Sequence, residues 1–460
     1  MPSPAPRYVT DVPYAATFTQ YAAPAWLDLT AVLSGVGPPD RKGAFAWCEL
    51  GCGRGATAAI LAATHPGGAF HGVDLMPEHI ADARRLAEHS GIANLTLHQG
   101  DFGAAAALDL PRFDYIVAHG VYSWIDAPAR ATLHQFVDRH LAPGGLVYIS
   151  YNAMPGWAAD LPFQYLVRAL AGQQEGDSIA RFAAAEGVLH RLGGSRWRAL
   201  RNSPIFAGAL TKHRKRLSPA YFAHEYLAPA WQPLYVTEIR AELKRIGLFP
   251  AGSATLEDNF DTFMLRAAER RAIDGIADPD LRELARDYVV LKRFRRDVFS
   301  REGAQIGEAE QRRRILDQSF MLTCPAASVG YTMATPAGTV RFDNEMSRGI
   351  VSALAHTPRT LRSIAGGKRD LVANALTLAA SGTIRPVGPG AGAVDTLNAA
   401  LGELDTEATP FAFRALPWGT ALALDRALRR HLKDGRGLPR RLAPWADFIS
   451  RFIATAQPQG

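Results

Sequence analysis

The chain has 460 residues and a mass of 49.8 kDa, enough for two or three domains, and its composition, 48% hydrophobic and 21% charged, is that of a soluble globular protein. No apolar run approaches the roughly 18 residues of a membrane span, and Met1 to Tyr14 lacks the apolar core of a signal peptide. The net charge of +7 is uneven: nine Lys/Arg against fourteen Asp/Glu in residues 1–160 leave the remainder strongly basic. Three cysteines offer neither a disulfide framework nor metal-ligand spacing, so the reading expects no metal and a cytoplasmic location.

In chain order, Phe45-Ala46-Trp47 reads as a buried parallel strand and Ala56 to Thr64 as a helix. Between them lies Glu49-Leu50-Gly51-Cys52-Gly53-Arg54-Gly55. Glycines at a strand-to-helix turn let backbone approach a ligand and take up positive φ. A dinucleotide fingerprint would space them G-x-G-x-x-G; here the third glycine comes one place early and an acid precedes the first. A carboxylate at Glu49 repels a pyrophosphate but pairs with an amino group or a sulfonium, which suits S-adenosylmethionine better than NAD. The heptapeptide resembles the first motif of the class I S-adenosylmethionine-dependent methyltransferases, an acid followed by G-x-G-x-G. In this resemblance Gly51, Gly53 and Gly55 are cofactor-binding positions.

Ala69 to Leu75 reads as a second strand ending at Asp74, an acid placed to bond a ribose diol, with Leu75 beside it. Pro77 then opens a helix with Ile80, Ala83, Leu86 and Ala87 on one face. Leu95 to Phe102 contains a third strand, after which Asp101 matches the family's acid that bonds the adenine amino group, and Phe102 is placed to lie on the ring. Phe113 to Ala118 is a fourth strand, followed by His119-Gly120-Val121-Tyr122-Ser123-Trp124. A helix over Ala129–Leu141 and a fifth strand over Leu146–Tyr151 complete an α/β alternation. It predicts a doubly wound, Rossmann-like, seven-stranded sheet with ligands at the carboxyl ends of its strands.

Beyond Pro155-Gly156-Trp157 the pattern predicts a helical insertion over residues 156–234, of the kind that builds a lid or a homodimer contact. The return to the core is expected over 235–270, as a helix followed by a hairpin of Leu248–Leu256 and Asp261–Leu265. Residues 271–460 are then a C-terminal accessory domain, opening with a helix over Leu281–Phe299. Helices at 346–355, 358–365 and 369–380 and a strand near Ile384 give it a winged-helix-like part, and further helices are expected near Ala421–Leu432 and Leu442–Ala454. Arg191, Arg196, Arg198, Arg201, Lys212, Arg214, Lys215 and Arg216 occur with no acid between them, a solvated face or a footprint for an acidic partner.

Tyr221 to Pro233, dense in aromatics, together with the segments after the fourth and fifth strands, resembles bacterial methyltransferases carrying a methyltransferase regulatory domain. Some of these are protein-lysine methyltransferases acting on outer-membrane proteins. The resemblance implies a protein amine as methyl acceptor. Tyr122, Trp124 and Tyr151, with Trp157, would wall a desolvating channel, Asn152 would aim the amine, and His119 would serve as base or cofactor contact. His224 and Glu225 read as helix-terminus residues. Nucleic-acid acceptors are disfavoured, since the segment after the fourth strand, Ala118-His119-Gly120-Val121-Tyr122, lacks the signatures of adenine and cytosine methylation. A small-molecule N- or O-methyltransferase and a non-catalytic S-adenosylmethionine-binding regulator are the alternatives.

Overall fold

The computed structural model describes residues 11–12, 17–41, 44–193, 219–365, 370–388, 394–404, 413–424, 427–428, 431–432 and 437–454. Its centre is a seven-stranded sheet of β1 (Phe45–Leu50), β2 (Gly68–Asp74), β3 (Leu95–Gln99), β4 (Phe113–Ala118), β5 (Leu141–Asn152), β6 (Leu248–Ser253) and β7 (Phe294–Arg301). The order is β3-β2-β1-β4-β5-β7-β6; the first five strands run parallel and β7 lies antiparallel between β5 and β6. The order reverses between β1 and β4, so a crevice opens there beyond the strand ends. Every residue of β1 is buried, as a strand covered on both faces requires.

One face carries α1 (Pro24–Leu33), whose Leu27 and Val32 share a core with Trp47, Tyr115 and Tyr148 of the sheet. Trp47 donates its indole N–H to the Ala22 carbonyl at 3.0 Å, and Trp26 donates to Ala254 at 2.8 Å, so both rings bury apolar area without orphaning their polar atom. The helices α2 (Ala56–Thr64), α3 (Pro77–His89) and α5 (Ala127–His140) follow the strands as the periodicity predicts, whereas α4 (Phe102–Ala106) was not expected and takes Phe102 out of the third strand. Asp126 caps α5 by accepting from Ala129 N at 3.0 Å. The insertion supplies α6 (Leu161–Ala171), α7 (Ser178–Gly193) and α8 (Pro219–Leu227), joined in one apolar cluster with Trp157 and Trp231. Arg191 lies in α7; the other members of the basic cluster, Arg196 to Arg216, fall outside the described residues.

The last strand of the sheet corrects the sequence expectation. Asp261–Met264 is a short helix, and the partner of β6 is β7, drawn from residues expected to continue a helix. That helix ends at Val290, where Leu291 turns left-handed at φ 49°. Of Leu284, Tyr288, Leu291 and Val298, which helical spacing would turn inward, Tyr288 and Leu291 are exposed, at 52% and 66%, while Val298 is buried in β7. The misleading signal is Arg295, which looks like a solvated helix residue but is 3% exposed. Its guanidinium meets Asp287 and Glu283 at 2.6 Å and Asp297 at 2.9 Å. Removing one partner from such a buried network costs about 3–5 kcal/mol.

The C-terminal part contains helices Glu345–Ala353, Leu361–Ala365 and Leu371–Ala380, a hairpin of β9 (Thr332–Thr335) and β10 (Gly338–Arg341), and a small sheet in the order β11 (Arg359–Thr360), β8 (Ser319–Leu322), β12 (Ile384–Val387). Phe320, Leu322 and Ile384 share the core of α1, so this part is continuous with the sheet's packing. The helix expected near Ala421–Leu432 does not begin at Ala421: Thr420–Ala423 is β14, antiparallel to β13 (Phe413–Leu416), and helical residues appear only at 427–428 and 431–432. Phe413, Ala415 and Ala421 of this hairpin pack on Ala56, Ile60 and Leu86 of α2 and α3.

Candidate active site

The glycine loop leaves β1 with Gly51, Gly53 and Gly55 at φ +74°, +53° and +71°, a conformation that disfavours side chains at all three. A Cβ on Gly51 would overlap Val121, and one on Gly55 would meet Ala83 Cβ at 2.6 Å. Gly51 and Cys52 both donate to the Val73 carbonyl, at 2.8 and 3.0 Å, and Gly53 N donates to Asp74 Oδ2 at 2.8 Å. Asp74 Oδ1 also accepts from Met76 N at 2.9 Å and contacts His79 Nδ1 at 3.1 Å. One carboxylate thereby fixes the loop and the start of α3.

Glu49, next to the last residue of β1, is only 5% exposed, and its Oε2 has no hydrogen-bond partner. Burial, helped by the Asp74 charge, pushes its carboxyl up to about 8. An orphaned acid of this kind fits a ligand that brings its own cation. The folded state holds a proton that the unfolded chain releases, so this site lowers stability as pH rises from 4.5 to about 8. An incoming ammonium reverses the preference. Binding of S-adenosylhomocysteine at pH 7 is therefore expected to expel about one proton from Glu49. Calorimetry in two buffers of different ionisation enthalpy measures it, and a buffer-independent enthalpy would refute it.

A cavity of about 1170 Å³ opens beside the loop. It is large enough for a nucleoside cofactor plus an acceptor side chain. Of the residues singled out from sequence, Glu49, Gly51, Gly53, Asp74, Leu75, Asp101, Phe102, His119, Trp124 and Asn152 line it. Gly55 does not; it is the N-cap of α2 behind the loop. Asp101 caps α4, accepting from Ala104 N at 2.7 Å, which holds its carboxylate at the cavity's edge.

Three further expectations are corrected. Tyr122 is fully buried away from the cavity, its hydroxyl 2.6 Å from His134 Nε2 and donating to Glu242 at 2.7 Å. Tyr151 is also fully buried and donates to Asp297 at 2.7 Å, inside the Arg295 network. His119 lines the cavity, but burial and the nearby Arg296 push its imidazole down to about 3, so it is neutral and too weak a base for an amine. Its Nδ1 sits 2.9 Å from the Tyr148 hydroxyl and 3.1 Å from Ser150 Oγ. The two aromatics after β4 thus separate: Trp124→Ala is expected to slow turnover while sparing cofactor affinity. Tyr122→Phe should instead cost about 1–3 kcal/mol of stability, read from denaturant midpoints, and leave turnover intact. A turnover loss in Tyr122→Phe matching that of Trp124→Ala would return it to the site.

Sequence reasoning missed several lining groups. Glu225, in α8, is 9% exposed and pushed up to about 7 by burial. It accepts from Asn152 Nδ2 at 3.4 Å. The Asn152 backbone is itself fixed, N to Ser123 Oγ at 2.8 Å and O to Leu234 N at 2.9 Å. His224, also lining, is held by Nε2 to the Val12 carbonyl at 2.8 Å. Trp157, by contrast, was expected in the wall and lines the cavity; it donates to the Arg293 carbonyl at 2.9 Å, and the Arg293 guanidinium, a lining group with no local signal, lies 4.2 Å over its ring. Thr17 to Tyr21, Arg296 and Arg385 also line the cavity. The aromatic density of 221–233 was the available signal for Glu225; nothing local in the sequence marks Arg385.

A seven-stranded sheet with two antiparallel strands at one edge, an acid-led glycine loop after β1 and a second acid after β2 define an S-adenosylmethionine-dependent methyltransferase. Residues 48–147 match the model of a methyltransferase domain, and residues 218–301 that of a predicted methyltransferase regulatory domain. An uncharacterized Synechocystis protein, sll1526, is 33% identical over 371 residues, 81% of this chain and 72% of its own. The chain belongs to the family of methyltransferases that carry this regulatory domain. A trans-aconitate 2-methyltransferase of Methylobacterium nodulans is 34% identical over 137 residues, 30% of this chain and 47% of its own. The structure of PKMT2 from Rickettsia typhi in complex with AdoHcy is similar in fold, with a TM-score of 0.69 over 97% of this chain and 93% of that one, at 18% identity. No helix among the described residues is long and apolar enough to cross a membrane.

Proposed function

We propose that the methyl acceptor is a protein amine, the ε-amino group of a lysine. The observation that carries this reading is Glu225, a buried carboxylate with its pKa near 7, joined to Asn152 in the cavity that holds the cofactor-binding acids. Glu49 and Asp74 would hold the cofactor's amino group and ribose diol, and Asp101 and Phe102 its adenine. When bound, S-adenosylmethionine supplies an electrophilic methyl carbon on a sulfonium. The chain's own residues must deliver a neutral amine to it and exclude water. Trp124 and Trp157 form the desolvating wall, Glu225 takes the proton of the entering ammonium, and the Asn152 side-chain oxygen accepts from the remaining N–H and aims the lone pair. The whole-chain likeness to PKMT2 and the family resemblance to enzymes acting on outer-membrane proteins support a polypeptide acceptor met in the cytoplasm. The insertion over 156–234, which carries Glu225, serves in this reading as the acceptor-side lid.

Incubation with radiolabelled S-adenosylmethionine and bacterial lysate tests the proposal. Label in protein, recovered as methyllysine after hydrolysis, is the expected result. Label resisting protease but not ribonuclease, or label in small extractable molecules, would overturn it, and no transfer at all would favour a cofactor-binding regulator.

A further inference from the structure

Two of the guanidiniums that line the cavity, those of Arg296 and Arg385, meet no counter-charge among the described residues. Arg296, on β7, donates Nη1 to Thr255 Oγ1 at 3.0 Å, and its guanidinium lies 4.3 Å over the Tyr21 ring and 4.8 Å from the Phe294 ring centre. Arg385, on β12 of the C-terminal part, donates Nη1 to Thr420 Oγ1 at 2.9 Å and to the Ala421 carbonyl at 2.8 Å. In each, Nε is buried with no hydrogen-bond partner. Among the described residues no carboxylate lies within ion-pair distance of either, whereas the other two arginines lining the cavity, Arg54 and Arg293, are paired with Asp82 at 2.7 Å and Asp160 at 2.5 Å. Burial holds Arg385 down to about 10, the direction expected of a cation whose anion is still to arrive.

We infer that Arg296 and Arg385, with Tyr21 beneath the Arg296 guanidinium, form a carboxylate-binding subsite whose occupant is the α-carboxylate of the cofactor. The amino and carboxylate groups of the methionine moiety hang from one carbon, so a chain that meets the amino group at Glu49 presents the carboxylate close by. Glu49, Tyr21, Arg296 and Arg385 all line the one cavity. Guanidinium binds carboxylate through two parallel N–H bonds, and a buried Nε is one of the donors that geometry uses. The subsite gives the C-terminal part a function: Arg385 approaches the cofactor only when β12 and β14 are docked on α1 and α2, so cofactor affinity reports that docking.

The test is independent of the acceptor. Calorimetry compares S-adenosylhomocysteine with its decarboxylated analogue on the full-length protein and on Arg296→Gln and Arg385→Gln. The full-length protein should bind the carboxylated ligand at least about tenfold more tightly, and each substitution should erase that preference. Arg385→Lys keeps the charge and should retain an intermediate preference, which separates a lost contact from a lost fold. Tricarballylate titrated into S-adenosylhomocysteine-loaded protein distinguishes the source of the anion. Equal affinity for the two nucleosides, with tricarballylate binding that the substitutions abolish, would keep the subsite and assign it to an acidic acceptor. Insensitivity of all three ligands to both arginines would overturn it.

Discussion

Asp74→Ala is expected to weaken binding of S-adenosylhomocysteine about a hundredfold while the protein still folds. Two charge-assisted bonds to a ribose diol contribute roughly 1.5–3 kcal/mol each, and the lower bound for the pair already amounts to two orders of magnitude. A second loss adds to the first. The same carboxylate accepts from Gly53 N and Met76 N, so its removal frees the glycine loop from β2. The alanine variant should therefore also melt earlier, whereas Asp74→Asn, able to accept on one oxygen, should recover most of the melting temperature and little of the affinity. Affinity unchanged in both variants, measured by calorimetry, would remove Asp74 from the cofactor site. Affinity restored along with stability by asparagine would make it a loop brace only.

The glycine-loop part of this cavity's lining was legible because its requirements are local. Positive φ at Gly51, Gly53 and Gly55 leaves a trace in composition, and Asp74 and Asp101 sit at strand ends that hydrophobic periodicity locates. The rest depends on partners far along the chain. Tyr122 reads as a site residue until Glu242, 120 residues away, is seen to accept its hydroxyl. In β5 the strand's own period was the overlooked signal: if Asn152 faces the cavity, Tyr151 must face the other side, where it meets Asp297. Strand β7 was missed for a related reason. An internal strand that buries Arg295 against Asp287, Glu283 and Asp297 has the charge pattern of a surface helix, and only the pairing across the sheet shows otherwise. Arg385 comes from another part of the fold altogether, reaching the cavity through the pairing of β12 with β8.

Glu225→Gln should separate acceptor chemistry from cofactor binding. Its carboxyl is raised from the ordinary 4.5 to about 7 by burial, opposed by the Asn152 amide and the Arg293 charge. Above pH 7 it is ionised and can take a proton; below, it cannot. With glutamate in place, kcat/KM for a lysine peptide should rise with pH to about 7 and then level, because the active pair is a carboxylate with an ammonium. Glutamine keeps shape and hydrogen bonding but holds no proton, so the variant must wait for the lysine to ionise in solution, near pH ~10.4. Its profile should climb through neutrality with no break. The deficit should be roughly a hundredfold or more at pH 7 and should shrink steadily toward high pH. Affinity for S-adenosylhomocysteine should stay unchanged. Stability supplies an independent readout: the folded wild type keeps a proton between pH 4.5 and about 7 that the unfolded chain has lost, so its stability falls with pH across that window. Glutamine removes that fall. A variant whose stability profile flattens in this way while its kcat/KM profile keeps the break at pH 7 would show that Glu225 is buried at the site without taking the proton.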